Sequence, residues 1–463
     1  MARASDPTAA RLVARRIVAR LRDHGHAAYF AGGCVRDELL GLHPTDFDVA
    51  TDAPPQRIRE LFPRSSEVGA AFGVILVYEQ DDAGRGVSVE VATFRSDGPY
   101  SDARRPDVVH FSDAPSDAAR RDFTINALFL DPLAPPSPAP APSPASASGD
   151  VAPPGAKPPI IKGRVVDYVG GVDDLRRRTV RAVGDPDARL KEDHLRALRA
   201  VRFAARLDFE IEPGTAGAIA RQAVELRGVS RERIGEELRR MLVHPRRARA
   251  VELLDHLGLT APVLQAGAEE ELRAAAGRPG RILNRLRDGA HARVAFATAL
   301  GAWALDRAGG LAASLARRPD ESKAFASGVV RQFRPALCLS NDESRELSDV
   351  VEGFDVLVHR WDAMRVSNQK RAAGNPAFFQ TMLVITAADD PRADRIWSRY
   401  KELQHDGVGI NPAPLVTGDD LVAAGVKPGP SFKRALDETY DAQLEGRVRD
   451  ASQALELARR LCV

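Results

Sequence analysis

The hydrophobic pattern of this chain changes period once, near residue 189. Before that point, short runs alternate apolar and polar residues, as half-buried strands do. In 87–94, Val87, Val89 and Val91 fall on one face, with Ser88, Glu90 and Ala92 on the other. After that point, apolar residues recur three and four apart, the spacing of amphipathic helices. The expected architecture is an α/β head of about 160 ordered residues followed by a helical extension of about 270, an α+β chain as a whole. The pattern places strands at 27–30, 46–50, 74–78, 87–94, 124–130 and 165–168. Helices are expected at 12–24, 35–42 and 54–61. Beyond the switch they are expected at 191–206, 213–227, 231–242, 246–257, 269–287, 292–308 and 342–358.

One stretch interrupts the strand-rich part. In 132–159, eleven of 28 residues are Pro and most others are Ala, Ser or Gly. Such a composition buries little and donates few backbone bonds, so a disordered insertion is expected. The strand pattern resumes after it, which favours a long hairpin loop over a domain linker. The expected organisation is a head at 25–185 containing this insertion, a helical neck at 186–260, and a helical body and tail at 261–463.

Several function classes drop out on composition. No apolar run approaches the roughly 18 residues of a membrane span, and 1–22 has no apolar core of a secretory signal. Cys34, Cys338 and Cys462 lie far apart, against a disulfide framework or a cysteine zinc site. The ten histidines show no metal-ligand spacing, and His405-Asp406 reads as part of a Gly-containing loop. A cytoplasmic protein is expected. The formal charge is only +2, although 58 of the 66 basic residues are Arg. Arg makes forked bonds to phosphate, but a GC-rich genome also favours its codons. Net charge therefore neither supports nor excludes a nucleic-acid partner.

The chemistry concentrates in the head. Gly32-Gly33-Cys34-Val35-Arg36-Asp37 places a glycine pair between an expected strand and helix. There backbone N–H groups can approach a phosphate, with Arg36 to clamp it. About ten residues on, Asp46-Phe47-Asp48 would project two carboxylates from one face of a strand. Adjacent carboxylates repel unless a cation lies between them. Hard oxygen donors of this kind suit Mg²⁺ arriving with a nucleoside triphosphate. Glu90, between Val89 and Val91, is the candidate third carboxylate of a two-metal site.

These residues, with three later motifs, resemble the class II tRNA nucleotidyltransferases and bacterial poly(A) polymerases of the polymerase-β superfamily. The later motifs are Arg120-Arg121-Asp122-Phe123-Thr124-Ile125-Asn126-Ala127-Leu128, Asp167-Tyr168-Val169-Gly170-Gly171-Val172-Asp173-Asp174-Leu175 and Glu192-Asp193-His194-Leu195-Arg196. The resemblance runs over roughly 29–257. It implies a polymerase-β-like head with a mixed sheet, then an all-helical neck, body and tail that measure the tRNA acceptor arm by shape. It implies that Asp46, Asp48 and Glu90 hold Mg²⁺. Gly32, Gly33 and Arg36 would contact the triphosphate. Arg121, Asp122 and Asn126 would contact the nucleotide and order its sugar side. Asp193 and Arg196 would read the base edge, while Arg199 and Arg202 support the triphosphate.

Spacing is compatible with that base reading: Asp193, Arg196, Arg199 and Arg202 are three apart, near one face of a single helix. An acceptor beside a donor matches C and A, which each show an amino group beside a ring nitrogen. The segment 95–111 resembles the flexible loop of CCA-adding and A-adding enzymes, and 415–421 with 427–430 resembles the tail segment of CCA-adding enzymes. The expected activity is template-independent addition of CCA, or its last residues, to tRNA from CTP and ATP, with pyrophosphate released. An A-adding-only enzyme and a poly(A) polymerase stay open, as does a non-catalytic RNA-binding protein. A transferase acting on a small molecule or a protein fits poorly with the base-reading helix and the long tail.

Overall fold

A computed structural model of the chain describes residues 7–69, 73–98, 108–138, 160–265, 281–318 and 320–462. The chain forms two compact units, Met1–Glu237 with Arg249–Val263, and Leu238–Ala248 with Leu264–Val463.

The first unit is built on a seven-stranded mixed sheet. Its strands are β1 (Ala28–Ala31), β2 (Asp48–Thr51), β3 (Ser65–Gly69), β4 (Val74–Gln80) and β5 (Gly86–Thr93). Two small strands outside this sheet follow, β6 (Arg95–Asp97) and β7 (Val109–Phe111), before β8 (Phe129–Asp131). Next come β9 (Ser137–Pro138), β10 (Ile160–Ile161) and β11 (Arg164–Val166). The sheet order is β11-β8-β1-β2-β5-β4-β3. Only β2 and β5 run parallel, with Val49 opposite Val91; the other pairs are antiparallel.

Helix α1 (Pro7–Asp23) covers part of this sheet. Val13, Ile17 and Leu21, four apart, are buried with Val18, each contributing roughly 1.5–3 kcal/mol of burial. A separate cluster of Ala31, Ala50, Phe94, Phe129 and Val183 takes in Ala114 and Ala118 of α4 (Ala114–Ala119), which follows α2 (Gly33–Leu39) and α3 (Pro55–Leu61).

Several expected elements shift. Strand β2 starts at Asp48 rather than at 46, so Asp46 lies before the strand. The expected strand at 124–130 is a 3₁₀ turn, Thr124–Asn126, followed by β8. Strand β3 was not expected, because Ser65-Ser66-Glu67 lacks strong β formers; pairing with β4 makes it a strand. The expected helix at 191–206 is two helices, α6 (Pro186–Glu192) and α7 (Arg196–Leu207), after α5 (Gly171–Arg176). Past the switch, the regular elements among the described residues are helices apart from Glu210–Ile211, which pairs with Thr179–Val180.

The Pro-rich insertion enters a hairpin. Strand β8 pairs with β11, and further out Pro138 stands opposite Ile160. Residues 132–138 are thus part of the ordered chain, not of a disordered insertion; 139–159 lie outside the described residues. Replacing 139–159 by Asn-Gly would close the hairpin with a two-residue turn. That variant is expected to keep the parent's thermal unfolding midpoint, measured by circular dichroism.

The second unit is helical. Its core joins Phe296–Arg307, Ser322–Leu337, Asn341–Arg360 and Phe378–Ala388, with Trp303, Phe333, Phe354 and Ile385 buried. Ser340 and Glu343 form a capping box that starts the third helix. A C-terminal cluster joins Gly418–Ala423, Pro430–Leu444 and Ala451–Cys462 around Leu421, Ala442 and Ala454. Pro428 and Gly429 lie in the connection between the first two of these helices, and Pro430 opens the second. The expected helix 269–287 is described only at Arg281–Arg285. In Val366–Ala373, the ammonium of Lys370 is fully buried; it donates to the Leu444 carbonyl (2.9 Å) and pairs with Asp406 (2.7 Å). The His405-Asp406 doublet thus serves an internal ion pair.

Candidate active site

The site forms where β1 ends and β2 begins, beside the middle of β5. Ala31 stands opposite Asp48 across the β1–β2 pair, so the chain leaves β1 beside the acidic residues. Gly32 then turns it into α2 with φ +77° and ψ −129°, a conformation for glycine. Its N–H is already committed to the Leu128 carbonyl (3.0 Å). A Cβ on Gly32 would lie 3.0 Å from Arg121 NH1. Gly32→Ala is therefore expected to cost about 1–3 kcal/mol through backbone strain and to push Arg121 aside. The readouts are a lower unfolding midpoint and a raised KM for nucleotide.

Asp48 and Glu90 each sit one residue before the paired Val49 and Val91, so parallel register directs both side chains to the same face. Glu90 and Asp48 are exposed at the surface. Asp48 is nonetheless crowded by protein atoms. Loss of water, then the charges of Glu90 and Asp46, lift its carboxyl to about 6, against the pull of Arg121. The three carboxylates thus converge electrostatically on Asp48, although Asp46 approaches from a bend rather than from the strand.

Among the described residues no group of three or more His, Cys, Asp or Glu side chains is placed to hold a metal ion, so Asp46, Asp48 and Glu90 do not stand together as a ready ligand set. Three hard carboxylates in mutual repulsion nonetheless suit Mg²⁺, which keeps waters and phosphate oxygens in its shell and needs few protein ligands. Behind them, burial and Asp48 push the Cys34 thiol up to about 12, so it stays protonated and is no nucleophile.

A second group of the expected residues forms one polar chain. Arg199 pairs with Asp122 (2.6 Å). Asn126 Nδ2 donates to the other oxygen of Asp122 (3.1 Å), and Arg36 NH1 donates to Asn126 Oδ1. Arg36 continues to Asp37 (2.7 Å), which also accepts from Arg206 (3.1 Å). Burial pushes the Asp122 carboxyl up, but Arg199, Asn126 and the Phe123 N–H prevail and hold it at about 2. Arg36 is only 3 % exposed, with its guanidinium occupied by these partners, so it braces the site from behind. The Phe203 ring gathers Arg36, Arg199 and Arg202 at 5.0, 5.5 and 4.3 Å from its centroid.

The residues expected to read the base differ most from expectation. Asp193 is not on the helix carrying Arg196, Arg199 and Arg202; it lies in extended backbone at the joint between α6 and α7. Its side chain competes with helix formation, as Asp side chains do near caps: Oδ1 accepts from the Leu195 N–H (3.1 Å). Oδ2 accepts from Arg233 (2.7 Å). Arg196 does not pair with Asp193; it donates to Glu192 and to the Arg189 carbonyl (2.7 Å). Arg202 pairs with Glu237 (2.6 Å). Sequence reasoning missed Arg233, Glu237 and Phe203 as partners. Only Phe203 carried a local signal, one aromatic ring directly after Arg202 and four residues after Arg199.

Residues 28–141 match the family described as Poly A polymerase head domain, and residues 208–270 match the one described as Probable RNA and SrmB- binding site of polymerase A. The chain is 31% identical over 448 residues to the CCA-adding enzyme of Limosilactobacillus fermentum, covering 96% of this chain and 94% of that one. It is 38% identical over 263 residues to the CCA-adding enzyme of Geobacillus stearothermophilus, a match covering 56% of each. Among solved structures, it resembles the Bacillus stearothermophilus CCA-adding enzyme in complex with CTP. There the TM-score is 0.68 at 27% identity, over 98% of each chain.

Proposed function

The chain belongs to the CCA-adding enzymes, and from that premise we propose that it completes tRNA 3′ ends from CTP and ATP through the residues gathered around Asp48. It is a tRNA nucleotidyltransferase. The observation that carries the residue assignment is the shared face of Asp48 and Glu90, with Asp46 beside them and Arg121 opposing their charge.

In the proposed reaction the tRNA 3′-hydroxyl attacks the α-phosphorus of the nucleotide and pyrophosphate leaves, with no protein nucleophile. Mg²⁺, held by Asp46, Asp48 and Glu90, would offset charge on the attacking and leaving oxygens. Arg121 meets the triphosphate, with the Gly32–Gly33 turn alongside. Asp122 and Asn126 order the sugar side, and Arg36 fixes Asn126 from within. Arg199 and Arg202, anchored on Asp122 and Glu237, support the triphosphate from α7. Asp193 accepts from the exocyclic amino group of C or A, and Arg196 donates to the adjacent ring nitrogen. A carboxylate has about four acceptor positions and a guanidinium five donors, so both can serve a base while keeping their present partners.

The head, 25–185, would carry the transfer; the neck, 186–260, the base choice; and the body and tail, 261–463, the tRNA. No described helix is long and apolar enough to cross a membrane, and a cytoplasmic location suits a tRNA-maturing enzyme.

The test uses purified protein, Mg²⁺ and tRNA transcripts ending before CCA, after C and after CC. CTP, ATP or both are supplied, and products are resolved to single nucleotides. CCA completion on all three is the expected result. A single A on the CC-ending transcript alone would make the protein A-adding only, and long A tails on any RNA would make it a poly(A) polymerase.

A further inference from the structure

Arg121 has a long, flexible side chain, and a guanidinium serves a triphosphate best when it is already in place. Its placement comes from α4. Asp117 of that helix is 1 % exposed. Its Oδ2 accepts from Arg121 Nε (3.2 Å) and NH2 (3.0 Å). Its Oδ1 accepts from Arg120 Nε (2.9 Å) and NH2 (2.6 Å). The same Oδ1 accepts from the backbone N–H of Arg95 (3.3 Å), the first residue of β6. On the other side Arg121 NH1 donates to the Asn126 carbonyl (3.0 Å), and its guanidinium carbon lies 5.0 Å from the Phe129 ring centroid.

Three of the five N–H groups of Arg121 are thereby engaged and two are left over. NH1 borders the Gly32 turn, and the charge reaches Asp48. Burial pushes the Asp117 carboxyl up, but Arg121 and Arg120 outweigh it and hold it below the usual range. Asp117 therefore stays ionised in the pH range of nucleotidyl transfer. Neither Asp117 nor Arg120 reaches toward Asp46, Asp48 or Glu90 in any of these contacts, so Asp117 acts on the site through Arg121.

We propose that Asp117 is a positioning residue for nucleotidyl transfer: it fixes the Arg121 guanidinium in the pose that receives the incoming triphosphate, from a carboxylate that also anchors the start of the β6–β7 hairpin. This rests on the assignment of Arg121 to the triphosphate. The two fail separately in a double-mutant cycle.

The cycle compares the parent, Asp117→Asn, Arg121→Ala and the double variant, all as full-length protein. The readout is CMP incorporation into a transcript lacking CCA, with CTP varied, and tRNA affinity measured alongside. Asn keeps the shape and one acceptor but loses the charge and the second acceptor. Asp117→Asn is expected to raise KM for CTP about tenfold with a smaller change in kcat and none in tRNA affinity. The double variant is expected to be no worse than Arg121→Ala alone. The proposal is overturned if Asp117→Asn leaves KM unchanged, or if it lowers kcat/KM by the same factor with and without Arg121. An unchanged KM in Arg121→Ala would instead remove the assignment of Arg121, and the proposal with it. If Asp117→Asn does not fold, Asp117→Glu takes its place in the same cycle, since it keeps the charge while displacing the carboxylate.

Discussion

Asp48→Asn is expected to lower nucleotide incorporation by roughly 10³-fold or more, the scale of removing an electrostatic stabiliser of a transition state, and at the same time to make the metal-free protein more stable. The second effect follows from the loss of water around the first residue of β2 and then from the like charges of Glu90 and Asp46. The Asp48 carboxyl ionises near 6 in the folded chain, against an ordinary value of 3.8. A raised carboxyl means that the unfolded chain ionises more readily, so folding loses free energy as pH rises from about 4, and the loss is complete above about 6. Asn carries no charge and removes that loss. Thermal unfolding in EDTA should show the variant above the parent at pH 7.5 and the two together at pH 4. Mg²⁺ should raise the midpoint of the parent at pH 7.5 and raise that of Asp48→Asn less. A variant that is no more stable than the parent at pH 7.5 would mean that loss of water and the charges of Glu90 and Asp46 do not together penalise the ionised Asp48.

Asp122→Ala is expected to act in the opposite direction on stability. Its carboxylate is held at about 2 by Arg199 and its hydrogen-bond donors, despite burial. Breaking a buried pair costs about 3–5 kcal/mol. Arg199 keeps one third of its side chain exposed, so about 2–3 kcal/mol is the better expectation once solvent screening is allowed for. A depressed carboxyl contributes stability that is fully present above about pH 4 and fades as pH falls toward 2. Urea unfolding at pH 7 should therefore separate the variant from the parent by that amount, and the gap should narrow as pH falls below 4. Loss of Asp122 also releases Asn126, and through it Arg36, so nucleotide KM should rise in the same variant.

The parts of this site that follow from neighbouring residues were legible in the sequence. Alternation across 87–94 placed Glu90 on the face opposite Val89 and Val91, and strand register then set it beside Asp48. The glycine pair announced the turn that Gly32 makes at φ +77°. Features set by distant partners were not legible. Arg36 reads as a free phosphate clamp until Asn126, 90 residues away, is found bonded to it. Asp193 fits a continuous helix by spacing alone, and only its bonds to Leu195 and to Arg233, 40 residues on, explain why the helix breaks there. The start of β2 was misplaced by two residues because Thr45-Asp46-Phe47 has strand-like spacing but no ladder partner among the described strands. The change from strands to helices could be read from hydrophobic period alone, whereas β3 depends on the β4 edge that it joins.

The buried ammonium of Lys370 limits how this chain can be shortened. Its counter-charge, Asp406, and its carbonyl acceptor, Leu444, come from much later in the sequence. A protein ending before residue 406 would lose both partners together with the helix Pro430–Leu444 that packs on Val366–Ala373, leaving that face of the earlier helix uncovered. Trimming the tail in search of a minimal catalyst would thus damage a helix that precedes it by 36 residues.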